Sequence, residues 1–224
     1  MRAPALLGSF VTNEWAALIL EDVEARHPGD ALDGADISAV LGAFATFPRL
    51  VGTASDLLPT ATTEFVAERD SWGVLERDGV PLPPWVQAHA SRLRVAAERV
   101  CDVVHGNHLL HLDGRADNLL IDKAGTVWII DWPWAGVGVR WLDGLLYLLD
   151  ARFRGEEVDT ARLLDAHPLF EGVSAEDIDS VLAAVTGRYF DKARLPSPPN
   201  MPTLREFQYR EALAGMEWLR ERWS

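Results

Sequence analysis

Residues 104–135, VHGNHLLHLDGRADNLLIDKAGTVWIIDWPWA, constrain the fold of this chain more than any other stretch. Residues 118–121 and 126–130 are short apolar runs, partly β-branched, and Asp122-Lys123-Ala124-Gly125 between them has the composition of a turn. The pattern predicts two strands joined as a β-hairpin. A hairpin returns the chain to the end it started from, so Asn118, heading the first run, and Asp131, just past the second, are brought together. Asp113 stands five residues before Asn118 in a loop that contains Gly114.

Two acids and an amide so placed suit phosphoryl transfer from a nucleoside triphosphate, where the protein mainly positions groups and neutralises charge. Asp113 is the candidate base, since a carboxylate with a free lone pair can orient an attacking hydroxyl and accept its proton. Mg²⁺ takes oxygen ligands, and one amide oxygen with one carboxylate, completed by phosphate oxygens and water, describes Asn118 and Asp131. Arg115, two residues after the base, is placed to reach the transferred phosphate. Two other readings compete. In one, Asp113 and Asp117 form turns, Asn118 is a cap and Asp131 ends a strand in an unrelated α+β protein. In the other, His105, His108 and His111 join Asp113 or Asp131 in a metal-dependent hydrolytic site. Strand geometry counts against the latter, because residues three apart point to opposite faces.

The motif His111-x-Asp113-x-x-x-x-Asn118, followed by Ile130-Asp131-Trp132, resembles that of the aminoglycoside phosphotransferase family of kinase-like enzymes, down to the wording HLDGRADNLL and IIDWPWAGVG. The resemblance implies a catalytic base at Asp113, Mg²⁺ on Asn118 and Asp131, ATP or GTP as donor, and a structural His111 bracing the loop. It also implies that Asp143 is a buried acid that caps its helix and steadies the catalytic loop through backbone amides. Leu112 stands where many members carry Gly, at a position that is not a ligand in the family.

Residues 5–11 and 14–20 read as two strands joined by a Thr12-Asn13 turn. By the resemblance they are the last strands of the small lobe, and LILEDV is the hinge whose backbone at Glu21, Asp22 and Val23 hydrogen-bonds adenine. The family carries a nucleotide-covering loop, a phosphate-pairing lysine and its glutamate partner upstream of this hinge. Lys123 and Lys192 are the only lysines here, and both lie far downstream. Gly136-Val137-Gly138 does not replace the covering loop, because Trp141 stands at the third glycine position and the segment follows the metal strand. The expectation is a chain lacking most of the N-terminal lobe and weak or inactive alone. The alternative is a truncated, non-catalytic binding module.

Downstream, His27-Pro28-Gly29-Asp30 reads as a loop and Asp36 as the N-cap of a helix with Ile37, Val40, Leu41, Phe44 and Phe47 on one stripe, ended by Pro48. A helix is predicted near 62–77, with Trp72 in the core. Another is predicted over 84–103, Pro84 opening it and Val86, Ala90, Leu93, Ala97 and Val100 along one face. Trp132, Trp134 and Trp141 beside glycines read as packing. The charges of 152–159 read as a solvated segment. Ser174 with Asp177, and Thr203 with Glu206, open two further helices in capping-box fashion. The second carries Leu204, Phe207, Leu213, Trp218 and Leu219 as apolar surface.

With 224 residues and 48% apolar content the chain buries a substantial core. A formal charge of −13 argues against nucleic acid, whose phosphates need a Lys/Arg excess, and admits a cationic small molecule. The single cysteine, Cys101, allows no intrachain disulfide, and no signal peptide or membrane span is legible, so a cytoplasmic, soluble protein is expected. The expected fold is α+β: a helical kinase-like C-terminal lobe over residues 24–224 with a catalytic β-hairpin, preceded by a strand pair and hinge over residues 1–23. The expected partner is a small hydroxyl acceptor, with a second copy of the chain pairing through the N-terminal strands.

Overall fold

The computed structural model describes residues 2–29 and 35–224, so Met1 and Asp30 of the loop after β3 lie outside the described residues. Strands β1 (Leu6–Val11) and β2 (Ala16–Leu20) form an antiparallel ribbon with Ser9 opposite Leu18 and Phe10 opposite Ala17. The turn is wider than a Thr12-Asn13 pair: the Thr12 amide donates to the Trp15 carbonyl, and the Thr12 hydroxyl oxygen accepts from the amides of Glu14 and Trp15. Side chains on both ribbon faces are exposed, and neither strand packs substantially on another element.

The chain then enters β3 (Ala25–Arg26), which pairs antiparallel with β5 (Leu119–Asp122); β5 pairs in turn with β6 (Val127–Ile129). This last pair is the predicted hairpin, with Leu119 opposite Ile129. Asp122 closes its turn by accepting the amides of Ala124 and Thr126, and Gly125 supplies a φ of 80°. A separate two-stranded sheet joins β4 (His108–Leu110) to β7 (Gly136–Gly138). Together the two sheets flank the loop that carries Asp113.

Helices supply the rest: α1 (Ala35–Phe44), the short α2 (Thr53–Asp56), α3 (Ala61–Arg69), α4 (Ser71–Arg77), α5 (Pro84–Glu98) and α6 (Val100–Val103). Beyond β7 come α7 (Leu142–Phe153), α8 (Thr160–Ala166), α9 (Ala175–Ala193) and α10 (Leu204–Arg222). The helix expected near 62–77 is two helices broken at Asp70, which turns α4 so that the buried Trp72 donates its indole N–H to the Ala183 carbonyl on α9. The helix expected over 84–103 breaks at Arg99, and its Ala90 is exposed rather than on the packed face. Asp36 lies inside the first turn of α1, its carboxylate taken by both Arg26 guanidinium nitrogens and the Gly29 amide.

Of the two predicted capping boxes, Ser174 accepts the Asp177 amide at 3.1 Å, whereas Thr203 makes no side-chain cap bond. The charges of 152–159 are not simply solvated. Arg154 donates to Asp150 at 2.9 Å, pairs with Glu156 and reaches the Pro28 carbonyl, tying the end of α7 to the loop after β3. The core gathers around α7 and α9, with Tyr147, Leu145, Leu148 and Trp218 fully enclosed. Among the described residues no helix is long and apolar enough to cross a membrane.

Candidate active site

The loop between β4 and β5 is held by helix α7. Asp143, in the first turn of α7, accepts the His111 amide at 2.7 Å and the Leu112 amide at 2.8 Å. Asp150, seven residues further along the same helix, accepts the Ala116 amide at 2.9 Å. These carboxylates bond backbone groups that a loop otherwise leaves unsatisfied in the interior. The role that the resemblance gave Asp143 is thus visible in its contacts, and burial pushes its carboxyl up to about 6 despite the two amides.

Curling onto α7 forces Leu112 to a φ of 62°, a conformation that costs a non-glycine residue of the order of 1–3 kcal/mol. A glycine at this position would adopt the conformation without that cost, so the leucine has an energetic consequence. One residue past Asp113, Gly114 lies flush on the helix. A Cβ there would stand 2.8 Å from the Asp143 carbonyl oxygen.

Asp113 is half-buried, and its Oδ2 accepts a hydrogen bond of 2.8 Å from the Asn118 amide nitrogen, which also donates to the Asp113 carbonyl at 3.0 Å. Asn118 ends the 3₁₀ turn Ala116–Asn118 and is itself buried. Its carbonyl accepts the Ile130 amide at 3.0 Å, so Asp131, the next residue, leaves the hairpin at the Asn118 end. Asp131 is exposed and has a φ of 60°, a left-handed conformation that Asp tolerates better than most residues. His111 is fully buried, with Nε2 2.9 Å from the Ile130 carbonyl oxygen and its ring edge-on to Trp132, which braces the loop against the hairpin.

The sequence therefore located Asp113, Asn118 and Asp131 at one end of one hairpin. Arg115 lines the cavity beside Asp113, where its guanidinium grips the Asp117 carboxylate through two nitrogens and lies over the Phe207 ring. Glu21, Asp22 and Val23 form the link from β2 to β3, where the Glu21 amide donates to the Ala5 carbonyl and its carboxylate accepts the Ala5 amide. Because β3 pairs Ala25 with Asp122, this link meets the hairpin at its turn end, opposite Asn118 and Asp131. The histidine site is not assembled: among the described residues no three His, Cys, Asp or Glu side chains form a group able to hold a metal ion.

The Mg²⁺ reading needs fewer protein ligands, and the donor set fits it. The Asn118 nitrogen is committed to Asp113, which leaves its amide oxygen for a cation, and the Asp131 carboxylate stands at the same end.

Beside Asp113 opens a cavity of about 370 Å³ between the loop and helices α3, α7, α9 and α10, walled by Arg115, Asp150, Tyr189, Phe207 and Glu211. Glu211 is buried at 2% exposure, and burial pushes its carboxyl up to about 8. Asp150, Asp113 and Asp117 add to the rise and Arg115 opposes it. Burial also raises the Tyr189 phenol. Trp134, expected to pack, is exposed and lines this cavity, while Trp141 is buried and Trp132 packs on His111 and Phe47. Sequence reading missed Asp150 and Glu211. Glu211 interrupts the apolar stripe of α10 one turn after Phe207, and Asp150 follows Asp143 by two turns on one face; both spacings were signals.

No protein-family model and no curated protein matches the sequence. Solved structures do match its shape. An aminoglycoside phosphotransferase from Alicyclobacillus acidocaldarius aligns with a TM-score of 0.63 over 99% of this chain and 77% of its own, at 15% identity. A choline/ethanolamine kinase family protein from Mesorhizobium loti gives 0.55 over 99% and 77%, at 17% identity. A choline kinase from Streptococcus pneumoniae gives 0.51 over 94% and 74%, at 15% identity. This chain has the kinase-like fold. The mostly helical body with its small sheets is the fold of these neighbours, and within it the Asp113 loop lies between the β5–β6 hairpin and the helical cavity.

Proposed function

We propose that this chain is a kinase-like phosphotransferase that passes the γ-phosphate of ATP or GTP to the hydroxyl of a small acceptor in the presence of Mg²⁺. The observation that supports this reading is the Asn118 amide bonded to Asp113 beside the cavity, with Asp131 leaving the same end of the hairpin. Asp113 has one carboxylate oxygen fixed by Asn118; the other accepts the proton of the attacking hydroxyl. Asn118 and Asp131 would hold Mg²⁺, which when bound neutralises charge on the donor phosphates. Asp143 and Asp150 keep the loop curled so that Asp113 faces the cavity. The hinge role of Glu21, Asp22 and Val23 toward adenine belongs to the same proposal.

The acceptor is cationic in this reading, because the carboxylates of Glu64, Asp113 and Asp150 line the cavity against Arg115 and Arg188, with aromatic walls at Tyr189 and Phe207, while Glu211 keeps its proton near neutral pH. The names of the solved neighbours, aminoglycoside phosphotransferase and choline or ethanolamine kinase, favour the same charge. Turnover by this chain alone is slow in this reading, since Arg115 is engaged by Asp117 and Lys123 sits in the turn at the hairpin end opposite Asn118 and Asp131, leaving the donor's inner phosphates poorly matched.

The test is phosphate transfer from ATP and GTP to aminoglycosides, aminosugars, choline and ethanolamine. Weak transfer that vanishes in Asp113→Asn is expected. Transfer that survives Asp113→Asn removes the base assignment. A rate of about 1–100 s⁻¹ by the chain alone refutes the expected weakness, and nucleotide binding without any transfer leaves the binding-module reading.

A further inference from the structure

Nearly every charged side chain walling the cavity beside Asp113 is already bonded. Asp113 takes the Asn118 amide, and Asp150 takes the Ala116 amide and the Arg154 guanidinium. Arg115 is paired with Asp117 and Arg188 with Glu68, while Glu64 of α3 is exposed. Glu211 is different: it is enclosed to 2% exposure, lines the cavity, and makes no hydrogen bond or ion pair among the described residues. The phenol of Tyr189 on α9 lines the same cavity and is likewise unbonded among the described residues; of the charged groups around it, Glu211 raises it most. Enclosed polar groups are ordinarily paired, so two unpaired ones at one cavity wall mark a place where a ligand supplies the partner.

The chemistry of that wall selects the ligand. Burial, Asp150 on α7, and Asp113 and Asp117 in the loop keep the proton on Glu211 up to about pH 8, with Arg115 opposing. An ammonium group reverses this balance, because its N–H groups donate to the carboxylate and the phenol oxygen and its charge favours the ionised acid. A quaternary ammonium has no N–H to donate and is held instead by a cage of aromatic faces. The rings here do not form one: Arg115 lies over Phe207 at 4.9 Å, Phe153 meets Phe207 at 72°, and Trp134 is exposed. At about 370 Å³ the cavity is near the small end of ligand pockets, which run from about 300 to 1,000 Å³.

Resting on the reading of this cavity as the acceptor site, we propose that Glu211 and Tyr189 form an ammonium subsite that selects a small amino alcohol bearing N–H groups over its quaternary analogue. The acceptor's hydroxyl then lies toward Asp113 and its ammonium toward Glu211. Docking releases one proton. Glu211 starts as the acid and the amine arrives as ammonium; the Glu211 O–H proton leaves to the buffer, and carboxylate and ammonium remain paired.

The test is calorimetric binding of ethanolamine and glucosamine to the full chain, against choline and N-acetylglucosamine, between pH 6 and pH 8 in buffers of different ionisation enthalpy. Both amines should bind and release close to one proton each at pH 7, with affinity rising up to tenfold per pH unit until about pH 8. Choline and N-acetylglucosamine should bind at least tenfold more weakly, since a site built for N–H groups is left unpaired by analogues without the ammonium. Infrared difference spectra should lose a carboxylic-acid C=O band and gain a carboxylate band as amine is added. In Glu211→Gln, which keeps the shape of the neutral acid, the band change, the proton release, the pH dependence and the preference over choline should all vanish. No amine binding, binding without proton release, equal binding of choline, or selectivity retained in Glu211→Gln overturns the proposal. Phosphate transfer to the same compounds is followed separately. Proton-linked amine binding without transfer removes the phosphotransferase reading and leaves the subsite standing, whereas transfer to choline and ethanolamine with equal kcat/KM keeps that reading and removes the subsite.

Discussion

Replacing Glu211 by Gln tests whether the cavity wall is as dry as its packing implies. The carboxyl, ordinarily near 4.5, is raised to about 8 by burial and by Asp150 on α7, with Asp113 and Asp117 adding and Arg115 opposing. A raised acid holds its proton in the folded state after the unfolded chain has released it. Its contribution to stability is therefore complete below about pH 4.5, declines as pH rises, and is gone above about pH 8. At 1.36 kcal/mol per unit, the wild type should lose about 3 kcal/mol more than Glu211→Gln between about pH 5 and pH 8, the amide having the shape of the neutral acid and no proton to lose. Urea melts followed by tryptophan fluorescence at a series of pH values measure this difference, and taking it against the variant cancels the raised acid Asp143, while the coupling of Glu211 to Asp150 is part of what is measured. Parallel stability curves for the two proteins would refute the argument and mean that Glu211 is hydrated.

Three further outcomes follow from the same geometry. Asp143→Asn places an NH₂ group among two amide donors at a site of 1% exposure, and should cost about 3 kcal/mol in urea melts and speed hydrogen exchange at Leu112. In Gly106→Ala the new Cβ would stand 2.4 Å from the Gly138 carbonyl oxygen, a backbone clash that should lower Tm and cost about 3 kcal/mol as β7 is pushed from β4. Asp131→Asn should abolish the Mg²⁺ dependence of nucleotide binding in calorimetry while Asp117→Asn leaves it intact; equal behaviour would remove the metal assignment.

What could be read along the chain was local. The hairpin was legible because two apolar runs and an Asp-Lys-Ala-Gly turn are a short-range pattern, and the Asn118 and Asp131 ends follow from pairing alone. The ribbon β1–β2 and the Ser174 cap were legible for the same reason. The breaks at Asp70 and Arg99 were not, because helical periodicity runs through them and the partners beside them, Ala183 for Trp72 and Asp177 for Arg99, are 111 and 78 residues away.

By itself the sequence determined the motif His111, Asp113, Asn118 and Asp131, since spacing along a strand-turn-strand unit fixes which residues share an end. Only the tertiary structure decided what those residues face. Asp150 and Glu211 become parts of one cavity because α7 and α10 converge on the loop, and their raised carboxyls come from desolvation, a property of the whole fold rather than of neighbours in the chain. Arg115 shows the same division: its position and its partner Asp117, two residues on, belong to the motif, but its place over the Phe207 ring depends on α10 crossing above it, and no pattern within the motif encodes that crossing.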